Sequence, residues 1–153
     1  MAKKQIVTSD KLQPAREDYS YSHAIRVGNT IYIAGQVARD KDYQIVHKRD
    51  FMGQVRHALE SMKNVLEAAG ASMQDVVKLN FFCTNLRDLV NINEVYKEYF
   101  GDHIPAMTAV EVVRLWNPHF LVEIEAVAVV GEDQIIIDGK KVVGKEYLRR
   151  LPK

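Results

Sequence analysis

Apolar positions along the chain recur with two different periods, and these periods predict its secondary structure. Residues 51–69 carry apolar side chains every three or four positions, which is typical of a helix with one buried face. Asp50 precedes this stretch as a candidate N-cap, and Gly70 follows it as a stop. The intervening polar residues are expected to face water: Gln54, Arg56, Glu60 and Lys63. A second helix is predicted over residues 88–100, before Gly101.

Runs of β-branched and aromatic residues predict five strands. The first two, residues 23–27 and 30–34, flank Gly28-Asn29, a pair that tolerates the positive φ of a hairpin turn. The others are predicted over residues 75–84, 107–115 and 120–130. The order ββαβαββ predicts an α+β fold with two helices on one face of a mixed sheet.

The two ends of the chain differ from its centre. Residues 1–20 are polar and predict an extended arm, and residues 36–49 predict a solvated loop. Residues 131–153 form a C-terminal extension, in which two β-rich runs flank Asp138-Gly139 and predict a small hairpin. A single domain is therefore expected over residues 21–130.

Alternation along the last predicted strand separates two faces. Val122, Ile124, Ala126 and Ala128 share the face that suits packing under the helices. The opposite face mixes apolar residues with Glu123 and Glu125. A face of this mixed kind favours an interface between subunits that keeps polar groups for a site.

Composition narrows the class of protein. The 153 residues are 47% hydrophobic and 27% charged, with a net charge of +1, which fits one globular domain and argues against nucleic-acid binding. No apolar run is long enough to cross a membrane, and no secretory leader is expected. The single cysteine, Cys83, lies in an apolar run and is expected to be a packed small hydrophobe. The expectation is a soluble, cytoplasmic protein.

Phosphate-binding, dinucleotide-binding and metalloprotease motifs are absent, and the five histidines lack metal-ligand spacing. No metal or cofactor is therefore expected. Seven short segments carry more information by their joint order. They are Tyr21-Ser22-His23-Ala24, Val27-Gly28-Asn29-Thr30, Ala34-Gly35-Gln36, Leu66-Glu67-Ala68-Ala69-Gly70, Asn93-Glu94-Val95-Tyr96, Pro105-Ala106-Met107-Thr108-Ala109-Val110-Glu111-Val112 and Val122-Glu123-Ile124-Glu125-Ala126.

In this order the segments resemble the Rid/YjgF family of enamine/imine deaminases, earlier described as L-PSP endoribonucleases or translation inhibitors. The resemblance implies a chorismate-mutase-like fold and a homotrimer with a central barrel, whose clefts between subunits bind a small molecule. It also implies hydrolysis of 2-imino or enamine acids to 2-keto acids and ammonia. By position, Glu123 matches the glutamate that orients the attacking water, and Tyr21, Ala34 and Gly35 match substrate-contacting positions.

The chain departs from this family at the residue that holds the substrate carboxylate. The family motif Pro-Ala-Arg-Ser/Thr reads Pro105-Ala106-Met107-Thr108 here, so Met107 and Thr108 occupy the substrate-binding positions. Methionine has neither the charge nor the donors of arginine, and the loss of such a contact costs a few kcal/mol, roughly two orders of magnitude in affinity or rate. Arg26 or Arg39 is able to reach the cleft from elsewhere, although nothing in the sequence requires it.

Three hypotheses stay open. The chain is a hydrolase of altered specificity, a non-catalytic trimer that binds a small molecule or a protein, or a ribonuclease or translation inhibitor, which the charge balance favours least. For Glu123 and Glu125, the alternative to chemistry is ion pairing with Arg or Lys across the subunit interface.

Overall fold

Six strands build one mixed sheet. The computed structural model describes residues 3–11, 21–131, 135–137 and 140–142. The strands of the sheet are β1 (Lys4–Val7), β2 (Ala24–Val27), β3 (Thr30–Gln36), β4 (Val76–Cys83), β5 (Ala106–Glu111) and β6 (Val122–Val129). Their spatial order is β1-β2-β3-β6-β4-β5, and only the pair β4–β5 is parallel.

Two helices cover one face of this sheet, as predicted. Helix α1 spans Phe51–Ala68, and helix α2 spans Ile92–Phe100. Short 3-10 turns precede β4 at Met73–Asp75 and α2 at Leu86–Asn91. The Oδ1 atom of Asp50 accepts the backbone N–H of Gly53 at 2.9 Å and caps α1. Neither helix of the described part of the chain has the length and apolar character that a membrane crossing requires.

The predicted alternation along β6 is confirmed. Val122, Ile124, Ala126 and Ala128 are buried among the core residues, beneath the helices. The residues between them, Glu123 and Glu125 included, are only partly buried, because their side chains lie on the uncovered face. The sheet therefore has one apolar face packed under the helices and one uncovered face that carries carboxylates.

Helix α2 begins at Ile92 rather than at residue 88, because a 3-10 turn occupies Leu86–Asn91. Two strands also differ from their predictions. Residues 4–7 do not form an unpaired arm, because β1 pairs antiparallel with the outer edge of β2 and buries Val7. Strand β5 ends at Glu111 rather than at residue 115. The predicted C-terminal hairpin is confirmed by the pairing of β7 (Ile135–Ile137) with β8 (Lys140–Val142). Its Asp138-Gly139 turn lies outside the described residues.

The prediction that Gln54 faces water is wrong. Gln54 is fully buried, and its Nε2 atom donates to the carbonyl oxygens of His47 at 3.2 Å and His119 at 2.8 Å. Its Oε1 atom accepts the backbone N–H of Leu121 at 2.8 Å. One amide thus joins α1 to the loop before it and to the segment that leads into β6.

Replacing this amide is expected to destabilise the protein. Gln54→Leu keeps the approximate volume but leaves two carbonyl oxygens and one N–H without their partner, so the free energy of unfolding should fall by about 2–4 kcal/mol. Gln44 is exposed, and Gln44→Leu should change it by less than about 0.5 kcal/mol. Urea denaturation of both variants measures the difference. If the two variants had the same free energy of unfolding, the hydrogen bonds of Gln54 would make no net contribution to stability.

Candidate active site

A β-bulge sets the geometry at the centre of the uncovered face. Ile33 pairs with Ala126 and Gln36 pairs with Ile124, so Ala34 and Gly35 together oppose one residue of β6. The extra residue brings the Gly35 backbone against the carboxylate of Glu123. A Cβ atom on Gly35 would lie 2.8 Å from Cδ of Glu123 and would overlap Oε1. Glycine is therefore the residue that fits beside this carboxylate.

The bulge forms one wall of a cavity of about 360 Å³. Four residues predicted for the site, Tyr21, Ala34, Gly35 and Glu123, line this cavity together. The remaining lining residues are His23, Gln36, Val37, Arg39, Ser61 and Trp116. A single chain thus assembles a carboxylate, a phenol and a guanidinium around a space of small-molecule size.

Burial raises the pKa of the Glu123 carboxyl above its ordinary value, and the negative charge of Glu125 raises this pKa further. Glu125 Oε1 accepts a hydrogen bond from Asn80 Nδ2 at 2.8 Å. Among the described residues of the single chain, neither glutamate forms a salt bridge with Lys or Arg. A carboxyl with a raised pKa in a cleft is suited to taking up and releasing a proton.

Sequence reasoning missed the burial of Arg39, because residues 36–49 predicted a solvated loop. Arg39 is 5% exposed, and its Nη2 atom donates to Tyr21 Oη at 3.1 Å. Its guanidinium carbon lies 5.3 Å from the ring centre of Tyr43 and 5.4 Å from that of Trp116. His57 Nε2 donates to the Arg39 carbonyl oxygen at 3.1 Å. Tyr21, His57 and Trp116 are distant from Arg39 in sequence, so no local pattern signals the burial of Arg39.

Met107 and Thr108 lie away from this cavity within one chain. Strand β5 is the outer edge of the sheet, and β4 separates it from β6. Met107 pairs with the buried Leu79, so it lies on the helix side, where it lines a second cavity of about 440 Å³. Thr108 Oγ1 accepts a hydrogen bond from Lys78 Nζ at 2.6 Å. Only a neighbouring copy is able to bring either residue to Glu123.

Within the described residues, no three His, Cys, Asp or Glu side chains are grouped so as to hold a metal ion. Cys83 is fully buried, as expected of a packed hydrophobe, and burial raises the pKa of its thiol to about 11. The thiol is therefore protonated near pH 7 and is not activated as a nucleophile.

Known proteins resemble the chain along most of its length. A family model described as endoribonuclease L-PSP matches residues 11–130. A RutC family protein of Pyrococcus abyssi is 44% identical, over 84% of this chain and 98% of that protein. A 2-iminobutanoate/2-iminopropanoate deaminase of Dermatophagoides farinae is 39% identical, over 72% of this chain and 85% of that protein. The crystal structure of RidA from an Antarctic Psychrobacter bacterium superposes with a TM-score of 0.74 at 36% identity, covering 82% of this chain and 99% of that one.

Gly35→Ala is expected to displace the Glu123 carboxylate and to preserve the fold, because the added methyl meets the mobile end of a side chain. Displacement towards water should lower the pKa of Glu123 towards its ordinary value. A carboxyl-carbon NMR titration measures this pKa. Gly131→Ala is the matched control, because its added methyl meets nothing within 4 Å. An unchanged pKa in Gly35→Ala would contradict the packing described here.

Glu125→Gln tests the second cause of the raised pKa. Removal of the like charge should lower the pKa of Glu123, although burial, the larger cause, remains. The same NMR titration reports it, with the exposed Glu94→Gln as a charge-matched control. A titration indistinguishable from that of the unmodified protein would show that Glu125 does not act on Glu123.

Proposed function

Because the chain belongs to the endoribonuclease L-PSP family, which includes the Rid/YjgF proteins, we propose that it hydrolyses a reactive imine or enamine to a carbonyl product and ammonia. The observation that carries the proposal is the Glu123 carboxyl, whose pKa is raised and which borders the cavity against the Gly35 backbone. The deaminase named among the relatives supports the same class of reaction.

The chemistry requires one group that moves a proton twice. Ionised Glu123 accepts a proton from water while the water oxygen bonds to the imine carbon and the C=N π electrons move to nitrogen. Protonated Glu123 then donates its proton to the nitrogen of the carbinolamine. Glu123 then takes up the hydroxyl proton of the carbinolamine and passes it to the nitrogen as the C–N bond breaks. Ammonia leaves and the carbonyl forms, so that one imine and one water give one carbonyl compound and one ammonia. A carboxyl with a raised pKa serves both steps. Tyr21 and the backbone at Ala34 and Gly35 orient the substrate.

Substrate specificity is proposed to differ from that of relatives with arginine in the Pro-Ala-Arg motif, because Met107 offers a carboxylate no charged donor. The cleft is proposed to be completed by neighbouring copies in a homotrimer, which would bring Met107 and Thr108 to the site. Exposed apolar side chains on the uncovered sheet face support such an assembly: Ile25, Tyr32, Val110 and Val129. A cytoplasmic location is proposed with it.

A non-catalytic binding protein is the second candidate. The exposed Met107, which stands where the family has arginine, favours it, because the residue that would hold a carboxylate has been lost. Ammonia release separates this candidate from a hydrolase.

The proposal predicts that purified protein releases ammonia from freshly generated imines. The panel includes 2-iminobutanoate and a neutral imine that lacks the carboxylate. Glu123→Gln should lower the rate by about 10²–10⁴-fold, because glutamine cannot accept the proton of water. Met107→Arg should raise the rate on 2-iminobutanoate by about tenfold or more if it restores a carboxylate contact.

The proposal also predicts how the rate of hydrolysis changes with pH. Only ionised Glu123 accepts the proton, so the rate should fall as pH drops through its pKa, and this pKa lies above that of an ordinary glutamate. Glu94→Gln is the control that should retain full activity. If no imine is hydrolysed by the unmodified protein or by Met107→Arg, the hydrolase proposal is wrong and the binding protein is favoured.

A further inference from the structure

We propose that Trp116 binds an aromatic substituent of the substrate in the cavity that Glu123 lines. The inference rests on the proposed function and names the substrate class that this function leaves open, namely an imine or enamine whose reactive carbon carries an aromatic side chain. The ring of the substrate would lie beside Trp116 and its reactive carbon beside Glu123. Trp116 is then a specificity-determining residue, because it contacts the part of the substrate that does not react.

Trp116 is a large apolar side chain that stays exposed although its surroundings hold it in place. It is 62% exposed and lines the cavity. Its ring centre lies 5.1 Å from that of the buried Phe120 and 5.4 Å from the guanidinium carbon of the buried Arg39. These contacts position the indole and leave most of its surface uncovered. An indole positioned in this way offers apolar area to a ligand at little entropic cost.

The segment that carries Trp116 joins β5 to β6, and hydrogen bonds hold it directly after this residue. Asn117 accepts the backbone N–H of Phe120 on its carbonyl oxygen at 3.1 Å and that of His119 on Oδ1 at 3.0 Å. Gln54 of α1 donates to the carbonyl oxygen of His119 at 2.8 Å. The position of Trp116 is therefore set before a ligand binds.

A second aromatic ring borders the same cavity. Tyr21 is 44% exposed, and its hydroxyl accepts a hydrogen bond from Arg39 Nη2 at 3.1 Å. The guanidinium of Arg39 thus contacts both Tyr21 and Trp116, and Ala34 and Val37 add apolar surface to the lining. Aromatic pairs are stabilised beyond the burial of their area, so this lining favours an aromatic substituent over an aliphatic one of the same size.

The cavity has room for such a substituent beside the reacting group. Its volume of about 360 Å³ lies within the range of roughly 300–1,000 Å³ that is typical of small-molecule sites. Trp116 and Glu123 belong to the same lining. One substrate can therefore contact the indole and present its reactive carbon to Glu123.

The binding test uses three neutral amides: phenylacetamide, cyclohexylacetamide and acetamide. Trp116 is the only tryptophan of the chain, so the fluorescence of the full-length protein reports contact with a ligand, and calorimetry measures affinity. Phenylacetamide should change the fluorescence and bind about tenfold or more tightly than acetamide. Trp116→Leu keeps an apolar side chain but removes the ring, so the ratio of phenylacetamide to cyclohexylacetamide affinity should fall about two- to tenfold. Trp116→Phe should keep most of this ratio.

The kinetic test compares the imine freshly generated from phenylalanine by an amino-acid oxidase with 2-iminobutanoate. Trp116→Leu should raise KM for the phenylalanine imine about tenfold. It should leave kcat and the KM for 2-iminobutanoate nearly unchanged, because proton transfer at Glu123 does not involve the indole.

Val113→Ala is the matched control, since Val113 is an exposed apolar residue of the same segment and does not line the cavity. It should leave the affinity ratio and both KM values unchanged. Because Trp116 packs against Phe120, Trp116→Leu risks loosening the segment. The fluorescence titration of the unmodified protein needs no variant and supplies an independent measurement.

The inference would be overturned if phenylacetamide left the fluorescence of Trp116 unchanged, as expected where a neighbouring copy covers the indole. It would also be overturned if Trp116→Leu and Val113→Ala had the same affinity ratio. Failure of the proposed function has a different signature. If no imine releases ammonia but the Trp116-dependent preference for phenylacetamide persists, the role of Trp116 is supported and only the hydrolase proposal fails. If Glu123-dependent hydrolysis occurs and Trp116→Leu changes neither the affinity ratio nor KM, only the role of Trp116 is overturned.

Discussion

The contact between the Gly35 backbone and the Glu123 carboxylate is the constraint on which the site depends. It requires a glycine at the bulge, because any Cβ atom there would overlap Oε1 of Glu123. It also requires the bulge itself, since two residues of β3 must oppose one of β6 for the backbone to lie so close. The helix-covered face of β6 stays buried along the same stretch, at Val122, Ile124, Ala126 and Ala128. The sheet thus accommodates the bulge on its uncovered face without exposing its core.

Periodicity was sufficient for the parts of the fold that depend on which face is buried. The apolar stripe of α1 and its Asp50 cap lie where the pattern predicts them, and the alternation in β6 correctly separates core from carboxylates. Periodicity failed for Gln54 and Arg39. A buried polar side chain is stabilised by partners far away in the sequence, and a helical or strand period contains no information about those partners. The same reason explains β1, whose four residues are ordered by pairing with β2 rather than by their own pattern.

The sequence likewise indicated some residues of the candidate site and not others. Tyr21, Ala34, Gly35 and Glu123 were indicated by family resemblance, and the structure brings them to one cavity. Trp116 comes from a connecting segment that carries no recognisable motif, so the sequence did not assign it to a site. Arg39 was named only as a cation able to reach the cleft, and the structure places it in the cavity lining. Met107 and Thr108 lie on the outer edge strand, where one chain alone cannot join them to Glu123. The mixed face of the last strand favours an interface between subunits, but the sequence does not say which residues of a second chain would lie beside Glu123.

The raised pKa of Glu123 makes the stability of the fold depend on pH. Its pKa is higher in the folded protein than in an unfolded chain, so its effect on stability is most favourable at low pH and is lost as pH rises through the folded pKa. Near pH 7 the fold therefore bears the cost of a partly buried charge next to a second carboxylate. A glutamine at this position would avoid that cost with little change in shape. A carboxyl with a raised pKa beside a cavity is typical of residues that transfer protons.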